Sequence, residues 1–201
     1  MKIMSQLPRI TRFKKLSRIL EVASFLMFCL FLLASIGLFI GGIFVVPSMN
    51  PDAFTVEEGD NLRISLDGAM RVEADELIYG ENLQQVVSTI MWLGAFIVVL
   101  YAIIWRQLKK ILETVSNETP FDPGNSSRLK SIGIVLIITA FFVPAAEVLI
   151  IASVINSGIM PGISASYQLD VMMLLIGLLV LILSGIFRYG NDLQTEVDEL
   201  V

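Results

Sequence analysis

Glu147 is the one acidic residue well inside an apolar run, and it stands three residues after Pro144 in a stretch with no other charge nearby. A carboxylate in hydrocarbon is costly, so it is expected to face the interior of a bundle, and to find a hydrogen-bond partner there or stay protonated. Two readings follow: a proton or cation site, or a structural hydrogen bond between helices. Pro144 has no N–H and frees a carbonyl one turn earlier, which would bend the helix or offer an oxygen. The other acidic concentration, Glu57, Glu58 and Asp60, would suit a cation, yet it lacks the ordered spacing and turn glycine of a calcium loop and reads better as a solvated face. The chain has no histidine, which removes His-based acid–base catalysis, the usual nucleophile triads and the commonest metal ligand. Its single cysteine, Cys29, sits in an apolar run and reads as a small hydrophobe. No catalytic, cofactor-binding or metal constellation is found, so the expectation is a protein that is not an enzyme and has no cofactor.

What positions these residues is a membrane architecture. Of 201 residues, 55% are hydrophobic and 16% charged, a balance that water does not favour. A transmembrane helix needs about 20 predominantly apolar residues. Four stretches qualify, at about 19–46, 86–105, 132–155 and 169–187. The first is too long for the apolar core of a signal peptide and lacks a persuasive cleavage site, so it reads as an uncleaved anchor.

Orientation follows from lysine and arginine. Lys2, Arg9, Arg12, Lys14, Lys15 and Arg18 precede the first span; Arg106, Lys109, Lys110, Arg128 and Lys130 border the connection between the second and third. Both segments are expected in the cytoplasm, as are both termini. The fold class is therefore an all-α, four-transmembrane-helix bundle, a single membrane domain over 1–201 in the inner membrane. It has an outer loop at 47–85, a cytoplasmic linker at 106–131 and a cytoplasmic tail at 188–201.

Within the outer loop, Leu62, Ile64 and Leu66 alternate with polar residues before Asp67-Gly68, and Met70 and Val72 follow. Alternation around Asp-Gly predicts a small extracytoplasmic β-hairpin between spans one and two, resting on the outer ends of the helices. The N-terminal basic segment reads either as an amphipathic helix on the inner leaflet or as a plain topology signal. A short echo, Lys15-Leu16-Ser17-Arg18-Ile19 and Arg128-Leu129-Lys130-Ser131-Ile132, suggests a parallel repeat of two spans. The linker continues span two as a helix and is expected to break at Pro120-Phe121-Asp122-Pro123-Gly124-Asn125, with Ser126 or Ser127 capping the next helix.

Gly37 and Gly41 form a G-x-x-x-G step in span one, and Gly177 and Gly185 make span four smooth. These positions would pack helices of one chain, or form the face of a homo-oligomer. The tail, with Leu193, Val197 and Leu200 among Asp192, Glu196, Asp198 and Glu199, would be a short amphipathic helix. It would dock on a cytoplasmic protein or cover the basic linker.

Two segments carry a resemblance to a family. The linker Pro120-Phe121 leading to Arg128-Leu129-Lys130-Ser131-Ile132-Gly133 resembles a pattern of Pro-Phe, a polar stretch, then Arg-Leu-x-x-Ile-Gly. The exit of span four, Phe187 through Gly190, Leu193, Gln194, Glu196 and Asp198, is similar to an ending of Phe-x-x-Gly-x-x-Leu-Gln-x-Glu-x-Asp. The family is an uncharacterised bacterial group of four-span membrane proteins, a domain of unknown function. Where its members commonly end in Glu-Asn-Asp-Leu-Thr, this chain reads Glu196-Val197-Asp198-Glu199-Leu200. The resemblance implies a partner, a small helix-turn-helix regulator encoded nearby, and no direct nucleic-acid contact. The functional expectation is a sensory, regulatory or scaffold protein acting through linker and tail; the alternative is a small transporter or channel subunit using Glu147.

Overall fold

The structure is a computed structural model that describes residues 7–48, 64–66, 70–72, 80–117, 119, 122–156 and 164–199. Its helices are α1 (Leu7–Ile40), α2 (Gly80–Ser116), α3 (Pro123–Asn156) and α4 (Val171–Glu199). Beyond Ile40, α1 widens into a π turn at Gly41–Val45 and closes with a last α turn at Val46–Ser48. All four contain segments long and apolar enough to cross a membrane: Leu16–Val45, Gln84–Ser116, Pro123–Asn156 and Val171–Val197. This is a multi-pass membrane protein. At about 1.5 Å per residue a 34-residue helix reaches about 51 Å, well beyond the hydrocarbon thickness.

The fold class is corrected in one respect. The expected β-hairpin is not a component of the architecture, which is all-helical. Strand geometry among the described residues is confined to Ile64–Leu66 and Met70–Val72, paired antiparallel with Ile64 opposite Val72 and Leu66 opposite Met70. Three residues a side make no sheet layer, and a two-stranded ladder of this size has no independent stability in water. The pairing described for each strand is with the other, not with the helices. The turn Asp67-Gly68 and the acidic residues Glu57, Glu58 and Asp60 lie outside the described residues.

Helices α1 and α4 are built inside out relative to those of a soluble bundle. On α1 the buried residues are Ser17, Ser24, Ser35, Gly41 and Gly42, while Ile19, Leu26, Leu33 and Phe44 are exposed. On α4 the buried residues are Gly177 and Ser184, and Leu179, Ile182 and Ile186 face outward. In lipid, apolar side chains gain nothing from leaving the hydrocarbon, so small residues that permit close approach take the protein-facing positions. α3 is the most enclosed of the helices, with Ile132, Val135, Thr139, Ala146 and Ile150 buried at steps of three, four and seven residues. That is the spacing of one helix face.

The chain groups into two compact units, each described separately. One comprises Met1–Ala34, Ile97–Phe142 and Leu169–Val201; the other comprises Ser35–Phe96 and Val143–Gln168.

Candidate functional site

In the first unit, α2 runs on through the helical part expected of the 106–131 linker, and the turn to α3 is compact. α2 continues to Ser116 and α3 starts at Pro123. The reason is local chemistry at Asp122-Pro123. Asp122 sits at the N-cap, its Oδ1 accepting the Gly124 N–H at 2.8 Å, and Pro123 takes the first helical position, where a missing N–H costs nothing. The residues read as helix breakers therefore start a helix. Ser126 and Ser127 lie inside it and are not its cap. The end of α2 is tied back as well: Thr119 donates both its N–H (2.9 Å) and its hydroxyl (3.2 Å) to the Thr114 carbonyl.

Asn125 is the hub of this turn. It is fully enclosed, at 0% exposure. Its Nδ2 donates to Thr114 Oγ1 at 2.7 Å, and its Oδ1 accepts from Arg128 Nη1 at 2.8 Å. The same Nη1 donates to the Lys110 carbonyl at 3.2 Å and lies 3.9 Å from Asp122 Oδ1. Thr114 in turn donates its hydroxyl to the Ile111 carbonyl at 2.7 Å. Amide, hydroxyl, guanidinium and carboxylate thus form one continuous chain of donors and acceptors joining α2 to α3. Such a network is strong where it is satisfied throughout. Among the described residues no buried side-chain nitrogen or oxygen lacks a partner.

Hydroxyls also tie α1 and α4 to these two helices. Ser17 on α1 donates to the Leu112 carbonyl of α2 at 3.2 Å, and Ser184 on α4 donates to the Ser126 carbonyl of α3 at 2.7 Å. Glu21 on α1 accepts the Ser116 hydroxyl of α2 at 3.3 Å. Lys109 Nζ stands 4.7 Å over the ring of Phe25. In the interior of this unit Gly133 and Gly177 let α3 and α4 meet: a Cβ at Gly133 would come within 2.8 Å of Leu181, and one at Gly177 within 2.8 Å of Ile137.

The second unit solves the same problem differently. At the π turn Gly41 and Gly42 lie directly against α2, where a Cβ on Gly42 would sit 2.9 Å from Met91 Cβ and from the Trp92 nitrogen. Val46 N–H bonds to the Gly41 carbonyl, the wide π pattern. α2 side chains supply the donors for carbonyls of this irregular segment: Ser88 Oγ to Gly42 O, and Gln84 Nε2 to Val46 O. Irregular backbone at membrane depth is tolerated where it is buried in protein and satisfied in this way. Trp92, Phe96 and Phe39 pack edge to face beside it.

The residues singled out by sequence fall in several places. Arg128 belongs to the hub, and Leu129 is half-buried beside it; Pro120 and Phe121 lie outside the described residues. On α4, Gly190 is half-buried, Leu193 and Glu196 are exposed, and Gln194 and Asp198 are described by their backbone alone. Pro144 is buried in α3. Glu147 is not on the interior face expected of it: it is exposed while its neighbour Ala146 is buried. The G-x-x-x-G step is divided, because Gly41 packs on Met91 whereas Gly37 has nothing within 4 Å. Gly185 is likewise open. Sequence reasoning missed Asn125, Thr114 and Ser184 as cross-helix partners, and the legible signal was Asp-Pro as a helix start.

Among the described residues no group of three or more His, Cys, Asp and Glu is placed to hold a metal. A family model described as "Protein of unknown function (DUF2975)" matches residues 48–201. No curated protein and no solved structure matches the chain.

Proposed function

The chain belongs to the DUF2975 family, and from that premise we propose that it is a non-enzymatic protein of the bacterial inner membrane, with both termini in the cytoplasm, that senses or scaffolds through its linker and tail. The observation that carries this reading is the Asn125 hub. A loop that merely joined two spans would have no need of a fully enclosed amide, a guanidinium and an N-cap carboxylate in one network. Such a network fixes the end of α2 and the start of α3 against each other, and preorganised helix ends lose little entropy when a partner docks on them. The positive charge concentrated at Lys109, Lys110, Arg128 and Lys130 favours placing this end inside. A small helix-turn-helix regulator is the partner class that the family resemblance implies.

Site-specific photocrosslinking in intact cells tests this reading. A photoreactive residue at exposed Thr119 or Glu196 is expected to trap a protein partner, and one at outward-facing Leu179 only lipid. Pull-downs from detergent extract with and without residues 190–201 then separate the two contact regions. Equal recovery of every partner without the tail would sink the tail's role. The rival reading, a transporter or channel built on Glu147, draws no support from a carboxylate on the exposed side of α3; flux in proteoliposomes unchanged by Glu147→Gln removes it.

A further inference from the structure

α4 does not stop where its apolar span ends but runs on to Glu199. Past Arg188 it presents an apolar ridge at four-residue steps, Tyr189 (68% exposed), Leu193 (42%) and Val197 (57%). Asp192 and Glu196 flank this ridge one position back, both exposed. Of the two readings of the tail, docking on a cytoplasmic protein or covering the basic linker, the second draws no support: among the described residues no ion pair joins Asp192 or Glu196 to Lys109, Lys110, Arg128 or Lys130. Opposite in character is the start of α1, which is helical from Leu7 and continuous with the first span. Its sequence sets Arg9, Arg12, Lys14, Lys15 and Arg18 among Leu7, Ile10, Phe13 and Leu16, with no acidic residue before Glu21. Four spans put the two segments on one side of the membrane. Within the chain they are fastened to different neighbours, α1 to α2 through Ser17 and α4 to α3 through Ser184.

We propose that the acidic, ridged tail of α4 docks on the basic N-terminal part of α1 of a second copy of this chain, so that the protein is a homo-oligomer joined on its terminal side. Charge complementarity selects the occupant: the chain itself supplies, in Arg9, Arg12, Lys14, Lys15 and Arg18, a cationic helical segment next to the first span and on the same side of the membrane. Two-dimensional confinement in the bilayer also raises the local concentration of the second copy. The inference rests on the proposed role of the tail as an interaction element and names its partner.

The test uses two differently tagged full-length copies co-expressed in one membrane, each with Cys29→Ser. One carries Leu193→Cys and the other Phe13→Cys, and mild oxidation is followed by blotting for both tags. A band holding both tags is expected. It should fall at least fivefold when the first copy also carries Asp192→Lys and Glu196→Lys, and recover when the second carries Lys14→Glu and Lys15→Glu. Arg9, Arg12 and Arg18 remain in that second copy to hold the topology, which protease protection checks. A band unaffected by charge reversal, or no doubly tagged band between correctly inserted copies, overturns the proposal. In the second case, photocrosslinks from Glu196 to other proteins would still stand, so failure here is distinct from failure of the functional reading.

Discussion

The α2–α3 turn and the π turn join their helices by opposite means. Around the α2–α3 turn, polar side chains reach across to one another and to backbone carbonyls, with Asn125 at the centre. Around the π turn, the backbones themselves come together, since Gly42 admits no side chain and Ser88 and Gln84 cap the carbonyls left at the widened segment. The first arrangement depends on several groups being satisfied at once and fails as a set. The second depends on the absence of a few atoms and fails by steric overlap. A polar network suits a helix end rich in charged residues, where a guanidinium is tolerated; glycine contacts suit apolar helix faces, where few polar groups are.

Asn125→Ala should therefore produce the largest loss. It removes the acceptor of Arg128 and the donor to Thr114 in an enclosed place, for a destabilisation of about 2–3 kcal/mol. Reversible unfolding in mixed micelles would measure it. Gly42→Ala comes next, at about 1–3 kcal/mol, because a Cβ 2.9 Å from backbone and Met91 atoms forces α1 and α2 apart. The two substitutions also differ in kind. Asn125→Ala should raise protease cleavage near the 117–122 turn, and Gly42→Ala should not. If Gly42→Ala opened that turn as much, the contrast between the two turns would collapse.

Asp122→Ala should lose about 1 kcal/mol as an N-cap, and Ser184→Ala about 0.6–1 kcal/mol as a single interhelical bond in a membrane. Each is smaller than the loss of Asn125 because each removes one link and leaves the hub intact. A double substitution of Asp122 and Asn125 that proved less harmful than the sum would sharpen the picture, since members of one network are not additive.

The four spans were legible because an apolar run of about 20 residues has few alternatives. What stayed hidden depended on which way a residue points. Pro123 was read as a stop, whereas with an aspartate before it the ring belongs at the first position of a helix. Glu147 was assigned to the interior because that is the cheapest place for a lone carboxylate, but α3 buries the face of Ala146 and Ile150 instead. The β-hairpin rests on five alternating apolar residues, too few to form a layer of the fold. Asn125 was legible only as one letter of a turn, since its partners Thr114 and Lys110 come from the preceding helix.

The smallest expected effect is the most discriminating. Gly37 and Gly41 are one turn apart and identical in sequence logic, yet Gly41 is buried against Met91, 3.0 Å from where its Cβ would lie, and Gly37 has open space. Within the monomer, Gly37→Ala should thus change stability by less than about 0.5 kcal/mol, or raise it slightly through helix propensity. Gly41→Ala should lose more, by as much as Met91 fails to move aside. The same pair tests α1 as an oligomer face. Were Gly37 the contact of a second copy, Gly37→Ala would leave the monomer's unfolding unchanged and lower the doubly tagged crosslink of the tail experiment. An unchanged crosslink would assign oligomer contacts to the charged helical ends and leave the outward face of span one to lipid.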